Sequence, residues 1–462
     1  MKIKLINIGP IREFEIDLSK KISLIYGKNN IGKSYAISVV YMLLKSFPMI
    51  TKKSDLEFAI QRYTAFIREP QHLYQSGTVV SGSELLLSSV RAVLEYLMND
   101  WIRDNFILYL KSSYGDLKNV KNALTPNPGL INVDSKTLQF SFHLFENLSE
   151  GGKVGQFLIN KESIKNIDLS NENPESLSYK ILTDFFREVR LYTTSFHYIP
   201  AVRSGYYLGL SNLGSIIAKI NQYQGVIGSQ SFTLPNTTVP VSDFYSTISN
   251  KLAFTSADEY NYKSVVDKIE QNILKGTVQI DKESGRILYF SNELKRTFDL
   301  SQVSSMVSEL SIITAYLKFI IWDHVSLDQL DGEPSMSVGV FPTLFIEEPE
   351  SHLHPEAQIK LMEYFVELAK MGLKIIMTTH SDYMSNKMGN LILAGKIEAN
   401  NTGSYLLEKK KEGTACSKRK MRATDEGIED ANFHSAIEKL YKERIKLNDK
   451  YYGRIDRANK KS

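Results

Sequence analysis

Gly27-Lys28-Asn29-Asn30-Ile31-Gly32-Lys33-Ser34 decides how the rest of the chain is read. It fits G-x-x-x-x-G-K-[ST], the pattern of a phosphate-binding loop. Average composition gives about 0.02 chance matches in a chain this long, so a plain glycine-bearing turn is the poorer reading. The flanks agree: the apolar run 22–26 reads as a buried strand, and 34–41 has helical spacing. Glycines let the backbone wrap close to an anion with successive N–H groups pointing inward. The helix start adds the positive end of its dipole. Lys33 can reach the β/γ-phosphates and the Ser34 hydroxyl can ligate Mg²⁺. Gly27, Lys28, Asn29, Asn30, Ile31, Gly32, Lys33, Ser34 and Tyr35 are therefore the first candidate nucleotide-binding set.

Composition sets outer bounds. With 462 residues the chain can bury a large core and divide into two or three lobes. A net charge of +4 is too mild to argue for a nucleic-acid partner. One cysteine, Cys416, permits no disulfide framework within the chain, which fits a reducing cytoplasm. The longest apolar run, near 312–322, is interrupted by Lys318 and falls short of a membrane span. The first residues run straight into a strand pattern rather than a signal peptide.

Along the chain, 2–6 and 13–18 alternate apolar and polar residues around Gly9-Pro10 and predict an antiparallel hairpin. The helix after the loop ends before Pro48. Apolar residues recur at three and four over 54–114, predicting helices. Short strand-like runs fill 139–159, and 182–189 looks helical. Tyr198-Ile199-Pro200-Ala201-Val202-Arg203-Ser204 reads as a strand ending in an exposed arginine. The polar stretch 208–241 reads as a loop or linker, 260–274 as a helix, and 277–280 with 286–290 as a hairpin. An apolar helix is expected over 304–322. Strand, helix and strand follow at 344–346, 357–369 and 374–379, the pattern of a parallel sheet with right-handed crossovers. A second hairpin is expected from 404–410 and 417–422, then a polar helix over 431–446 and a basic tail.

Hydrolysis of a bound triphosphate needs more than a loop: a carboxylate near Mg²⁺ and a group that orients water. Glu347 and Glu348 close a buried strand at its C-terminal end, the edge where α/β sheets place ligands. Glu347 is the candidate metal ligand with Ser34; Glu348 is the candidate catalytic base. His380 closes the next strand and can hydrogen-bond a γ-phosphate, where an isolated histidine would more often be packed or solvated. His352 and His354, with Glu348 and Glu350, can also be read as a zinc cluster. The basic runs 409–411 and 418–420, with Arg454, Arg457, Lys460 and Lys461, suit either a phosphate backbone or a solvated face.

The loop, Phe345-Ile346-Glu347-Glu348-Pro349-Glu350-Ser351-His352-Leu353-His354-Pro355 and Thr378-Thr379-His380-Ser381 together resemble the ABC-type ATPases of the SMC, RecF and OLD group. Order and spacing are similar too: loop first, a long insertion, then the other motifs bunched near the end. The resemblance covers about 1–45 and 270–400. It implies that Glu348 is the catalytic glutamate, that His380 is the switch histidine, and that 351–354 form the D-loop crossing to a second subunit. Glu347 stands where the group usually has Asp. Val303-Ser304-Ser305-Met306 looks like its signature motif, with Met306 in place of a glycine. Ser304 and Ser305 would then meet a nucleotide held by another subunit; as plain residues they are an N-cap pair. Arg203 lies in an Ile-Pro-Ala-Val-Arg-Ser stretch frequent in the group, facing the nucleotide, a subunit boundary or a surface ion pair. No Q-loop glutamine is assignable. Absence of an Asn-Lys-x-Asp element points to ATP.

The expected fold class is α/β: an ABC-type P-loop ATPase head with an antiparallel β subdomain and a large, mainly helical insertion. The expected division is 1–50 and 261–400 for the head, 51–260 for the insertion and 401–462 for a C-terminal hairpin, helix and tail. Two functions compete. In the first, ATP joins two heads, and the chain is a sensor or scaffold controlling a separate effector such as a nuclease or toxin. That resembles the ATPase subunits of anti-phage systems of the PARIS and Septu type, with a phage-derived trigger. The lack of heptads in the insertion argues against chromosome-cohesion geometry. The second is a RecF-like DNA-binding ATPase or an OLD-like nuclease component. Only 82 residues follow His380, with no Asp-x-Asp cluster, so no intrinsic nuclease is expected.

Overall fold

The structure, a computed structural model, describes residues 1–47, 60, 82–144, 156–159, 174–193, 195–209, 237–251, 262–281, 284–321, 342–417, 422–428 and 440–448. Strands β1 (Lys2–Ile8) and β2 (Ile11–Asp17) form the expected hairpin, with Lys2 opposite Asp17. Then come β3 (Ile22–Tyr26) and α1 (Lys33–Ser46). In the insertion, α2 (Gly82–Met98) runs through one wide turn at Asn99–Arg103 into α3 (Asp104–Tyr114). Strands β4 (Leu130–Asp134), β5 (Gln139–His143) and β6 (Gln156–Leu158) precede α4 (Pro174–Thr193) and β7 (Phe196–Ile199). Helices α5 (Val239–Lys251) and α6 (Lys263–Ile269) lead to β8 (Gly276–Ile280), β9 (Ile287–Ser291) and β10 (Arg296–Asp299). The remaining elements are α7 (Ser305–Ala315), β11 (Thr343–Glu347), α8 (Pro355–Lys370), β12 (Lys374–Thr378), α9 (Asp382–Leu393), β13 (Thr402–Lys410) and β14 (Gly413–Cys416).

One eleven-stranded sheet organises the chain, in the order β6-β5-β4-β1-β2-β14-β13-β3-β12-β11-β7. Its β13-β3-β12-β11-β7 end is parallel and its β6-to-β2 end is antiparallel. Strand β13 joins the two. Its first half, from Thr402, lies parallel to β3, and its second half turns at Lys411-Glu412 to pair with β14. The fold is α/β: a parallel half flanked by helices and an antiparallel β wing.

The parallel strands are buried on both faces and therefore read as unbroken apolar runs. Their alternation sorts them into two cores. Ile25, Phe345, Ile376 and Tyr198 point to one, shared with α1 and α4. Ile22, Leu24, Tyr26, Leu344, Ile346, Ile375 and Met377 point to the other, shared with α7, α8 and α9. The helix after the loop and the helix after Ser304 thus lie on opposite faces of one sheet.

Several expectations are corrected. The second arm of the C-terminal hairpin is Gly413–Cys416, not 417–422. The segment 237–241 is not all loop, because α5 starts at Val239; Pro240 suits a first helical turn, where its missing N–H has no partner to lose. The helix expected to begin at 431 is described only over 440–448, where every residue is exposed. The insertion also donates β4, β5 and β6 to the sheet beside β1. Expected elements over 54–81 and 210–236 lie outside the described residues, residue 60 excepted.

Candidate functional site

The loop between β3 and α1 is shaped by close approaches that leave no room for a side chain. Gly27 has φ +144, and a Cβ there would sit 2.8 Å from the Leu407 carbonyl and 2.2 Å from Ile31 Cδ1. Gly32, φ +90, has Pro10 Cγ 2.7 Å from where its Cβ would be. The hairpin turn of β1–β2 and the strand β13 therefore wall the loop from two sides. Gly32 caps α1 with no side-chain acceptor, and the first turn carries no acidic residue. Those N–H groups are the orphan donors that anions satisfy at helix starts.

Lys33 is 5% exposed. Its Nζ donates to the carbonyls of Gly27 and Lys28, each at 3.0 Å, and lies 2.6 Å from His380 Nε2. Burial pushes its pKa down to about 8, against the pull of Glu348, Glu350 and Glu347. A triphosphate would replace these three partners with phosphate oxygens and restore the charge. Binding should then take up a proton above about pH 8, so ATP affinity is expected to fall roughly tenfold between about pH 7 and about pH 9. Titration calorimetry in buffers of different ionisation enthalpy checks both affinity and proton uptake; a flat profile would mean the Lys33 charge is not used.

The carboxylates arrive from β11. Glu347 accepts a short hydrogen bond from Tyr198 on β7 and another from Ser34. Tyr198 is itself paired with Ser38 of α1, 3.1 Å away. Burial raises the Glu347 pKa, opposed by those two hydrogen bonds. Glu348 occupies a left-handed backbone position, φ +42. Its N–H donates to the Thr378 carbonyl at 3.0 Å, tying the turn to the end of β12. Its carboxylate is 3.4 Å from His380 Nε2, and that hydrogen bond holds its pKa below the usual range. One ring nitrogen cannot both accept from Lys33 and donate to Glu348. The two contacts are therefore alternatives set by the protonation of the ring, and a phosphate that drew Lys33 away would leave Nε2 to donate to Glu348. Glu350, buried and with its pKa raised by burial, accepts from Thr379 Oγ1 at 2.8 Å and the His380 N–H at 2.6 Å, fixing the histidine backbone.

The structure thus brings together Gly27, Lys28, Gly32, Lys33, Ser34, Glu347, Glu348 and His380. Asn29 and Asn30 stand exposed at the loop tip, and Ile31 is packed beneath it. The Tyr35 ring turns inward, stacked on Tyr114 at 4.6 Å and filling the space over Gly9, so only its backbone belongs to the loop. Ser304 and Ser305 are exposed, and Ser304 caps α7, its Oγ accepting from Val307 N at 3.4 Å. They open a helix on the far face of the sheet and are not brought to this loop. Arg203 corrects the sequence reading outright. It begins a helical turn rather than ending a strand, is fully buried, and its ion pair with Glu309 at 2.9 Å is internal, not on the surface. His352 and His354 are both exposed, and no cluster of three or more metal-ligating side chains exists among the described residues, which removes the zinc reading there.

Sequence reasoning missed Tyr198, Glu309 and the role of Glu350. A signal existed for Glu309: a lone carboxylate inside the apolar run of α7 needs a buried partner.

A glycine loop with a buried lysine, facing two strand-end glutamates and a histidine, defines a P-loop ATPase. The chain belongs to the AAA ATPase domain family, whose model matches residues 1–385. No curated protein matches it. Among solved structures it is similar to the SMC head domain from Thermotoga maritima, at 11% identity and TM-score 0.34, covering 90% of this chain and 97% of that one. An Smc head bound to the C-winged helix domain of ScpA gives 11% and 0.39, covering 90% and 96%. The Pyrococcus furiosus Smc head with an extended coiled coil, bound to the C-terminal domain of ScpA, gives 11% and 0.37, covering 96% and 98%. Overlaps of this size carry no functional weight. No described helix is long and apolar enough to cross a membrane.

Proposed function

We propose that this chain binds and hydrolyses ATP with Mg²⁺ at the loop, and that ATP joins two copies face to face. Glu348 polarises the attacking water and His380 contacts the γ-phosphate. Ser34 and Glu347 suit Mg²⁺, which takes one or two carboxylates with waters and phosphate oxygens. They already share a hydrogen bond, and three crowded carboxylates, two with raised pKa, favour a divalent cation beside them. Held there, Mg²⁺ would supply positive charge against the charge that develops on the phosphates. The observation that carries the joining step is the placement of α1 and α7 on opposite faces of the sheet. Two phosphate-seeking helix starts in one chain do not converge on one triphosphate, so Ser304 and Ser305 complete the site of a second copy.

ATP-gated joining of this kind suits a sensor or scaffold that controls a separate effector in anti-phage defence, a role that rests on resemblance. A RecF-like DNA-binding ATPase is the other reading; Lys409, Lys410 and Lys411 are exposed on the turn side of β13. Ser304→Arg is expected to leave single-chain ATP affinity within about twofold and to abolish ATP-dependent assembly, because a bulky cation cannot enter a closed joint. Light scattering with and without ATP checks this, and undiminished assembly would remove Ser304 from the joint. Co-purification with the product of a neighbouring gene supports the effector role, whereas salt-dependent DNA affinity supports the RecF-like one.

A further inference from the structure

Among the described residues, Arg203 is the largest of the fully buried side chains. A buried guanidinium persists only where its charge is paired and its donors are used. Its Nε faces Glu309 Oε2 at 2.9 Å and the Glu309 carbonyl at 3.3 Å. Nη1 donates to the carbonyls of Pro200 at 3.3 Å and Glu347 at 3.1 Å, and Nη2 to that of Glu348 at 3.4 Å. Glu309 sits in the helix opened by Ser304 and is itself 2% exposed. Its other carboxylate oxygen accepts from Ser204. One planar fork therefore spans from the carboxylate turn at the end of β11 to α7.

That turn needs holding. Glu348 is in the left-handed region, which a glutamate adopts only where its surroundings fix it. Its carbonyl receives the Ser351 N–H at 3.0 Å as well as Arg203 Nη2, so the arginine is one of two donors on the group that sets the turn.

We infer that Arg203, anchored by Glu309, is a positioning residue that sets the aim of the Glu348 side chain from α7, so that a shift of α7 is felt at the hydrolytic carboxylate. The regulatory half, in which a second copy's triphosphate at Ser304 moves α7, rests on the joining step proposed above. Arginine suits the task because its donors lie in a fixed plane; a lysine in its place keeps the charge but cannot span both carbonyls and Glu309.

The test uses the full chain and two variants. Replacing both charges, R203M/E309M, leaves no lone buried ion and so preserves folding better than either single change. It is expected to keep its melting temperature near the parent's and its ATP Kd within about threefold, and to lose about 10²-fold in kcat with KM little changed. R203K is expected to show the same split to a smaller degree, and it carries the test if the double variant does not fold. A purely structural ion pair predicts parental kcat in any folded variant, and that result would overturn the inference. Assembly is measured alongside. Variants that assemble with ATP but do not hydrolyse it support both halves. A parent that never assembles, with kcat still lost in R203K, leaves the positioning role standing and removes the joining step.

Discussion

Glu348→Gln is expected to bind ATP as tightly as the parent and to hydrolyse it about 10²–10³ times more slowly, the usual range for losing a general base. Several features single out this carboxylate. It stands at the C-terminal end of the parallel strands, and its hydrogen bond with His380 holds its pKa below the usual range. Glutamine matches its size and can still hydrogen-bond, but it cannot accept a proton from water. Glu347 cannot take over, because its carboxylate is already engaged by Tyr198 and Ser34. Phosphate release measured beside fluorescent-nucleotide binding separates the two steps. Turnover at the parental rate would move the base elsewhere. Because ATP joins two copies in the function proposed above, a variant that keeps its ATP intact should also accumulate the joined form.

Lys33→Ala is expected to weaken ATP binding about 10²-fold. A charge-assisted hydrogen bond contributes about 1.5–3 kcal/mol, and the upper value applies here because Lys33 is buried beside the loop's inward N–H groups. Methyl replacement removes the ammonium that is hydrogen-bonded to the Gly27 and Lys28 carbonyls. Circular dichroism guards against a folding defect. Calorimetric titration with ATP decides the point, and retained affinity would refute the loop assignment.

Much of this site is legible in the sequence because its parts are local. A five-residue buried strand, a glycine loop and a helix are contiguous, and Glu347-Glu348 and His380 each close an apolar run whose length fixes where the strand stops. What failed to read depends on partners far away in the chain. Arg203 looks exposed if 198–204 is a strand, but the backbone turns helical at 203, so Val202 points to solvent and Arg203 inward. Its partner Glu309 is more than a hundred positions later, and no local pattern joins the two. The second C-terminal hairpin arm does not show in the sequence because the Lys411-Glu412 turn lacks the usual Asn-Gly type of residues. Gly413, φ +117, marks it instead: a Cβ there would sit 2.9 Å from the Pro10 carbonyl. Strand β13 changes partner halfway, from β3 to β14, a feature that apolar periodicity does not encode.

On the reading proposed above, one triphosphate lies between the loop and the carboxylates of β11. The most direct measurement is a crystal structure of the Glu348→Gln variant with ATP and Mg²⁺. The account predicts β- and γ-phosphate oxygens within hydrogen-bonding distance of Lys33 Nζ and the 28–34 amides, with the γ-phosphate facing His380. Nucleotide bound elsewhere, with Lys33 still paired to Gly27, Lys28 and His380, would contradict it.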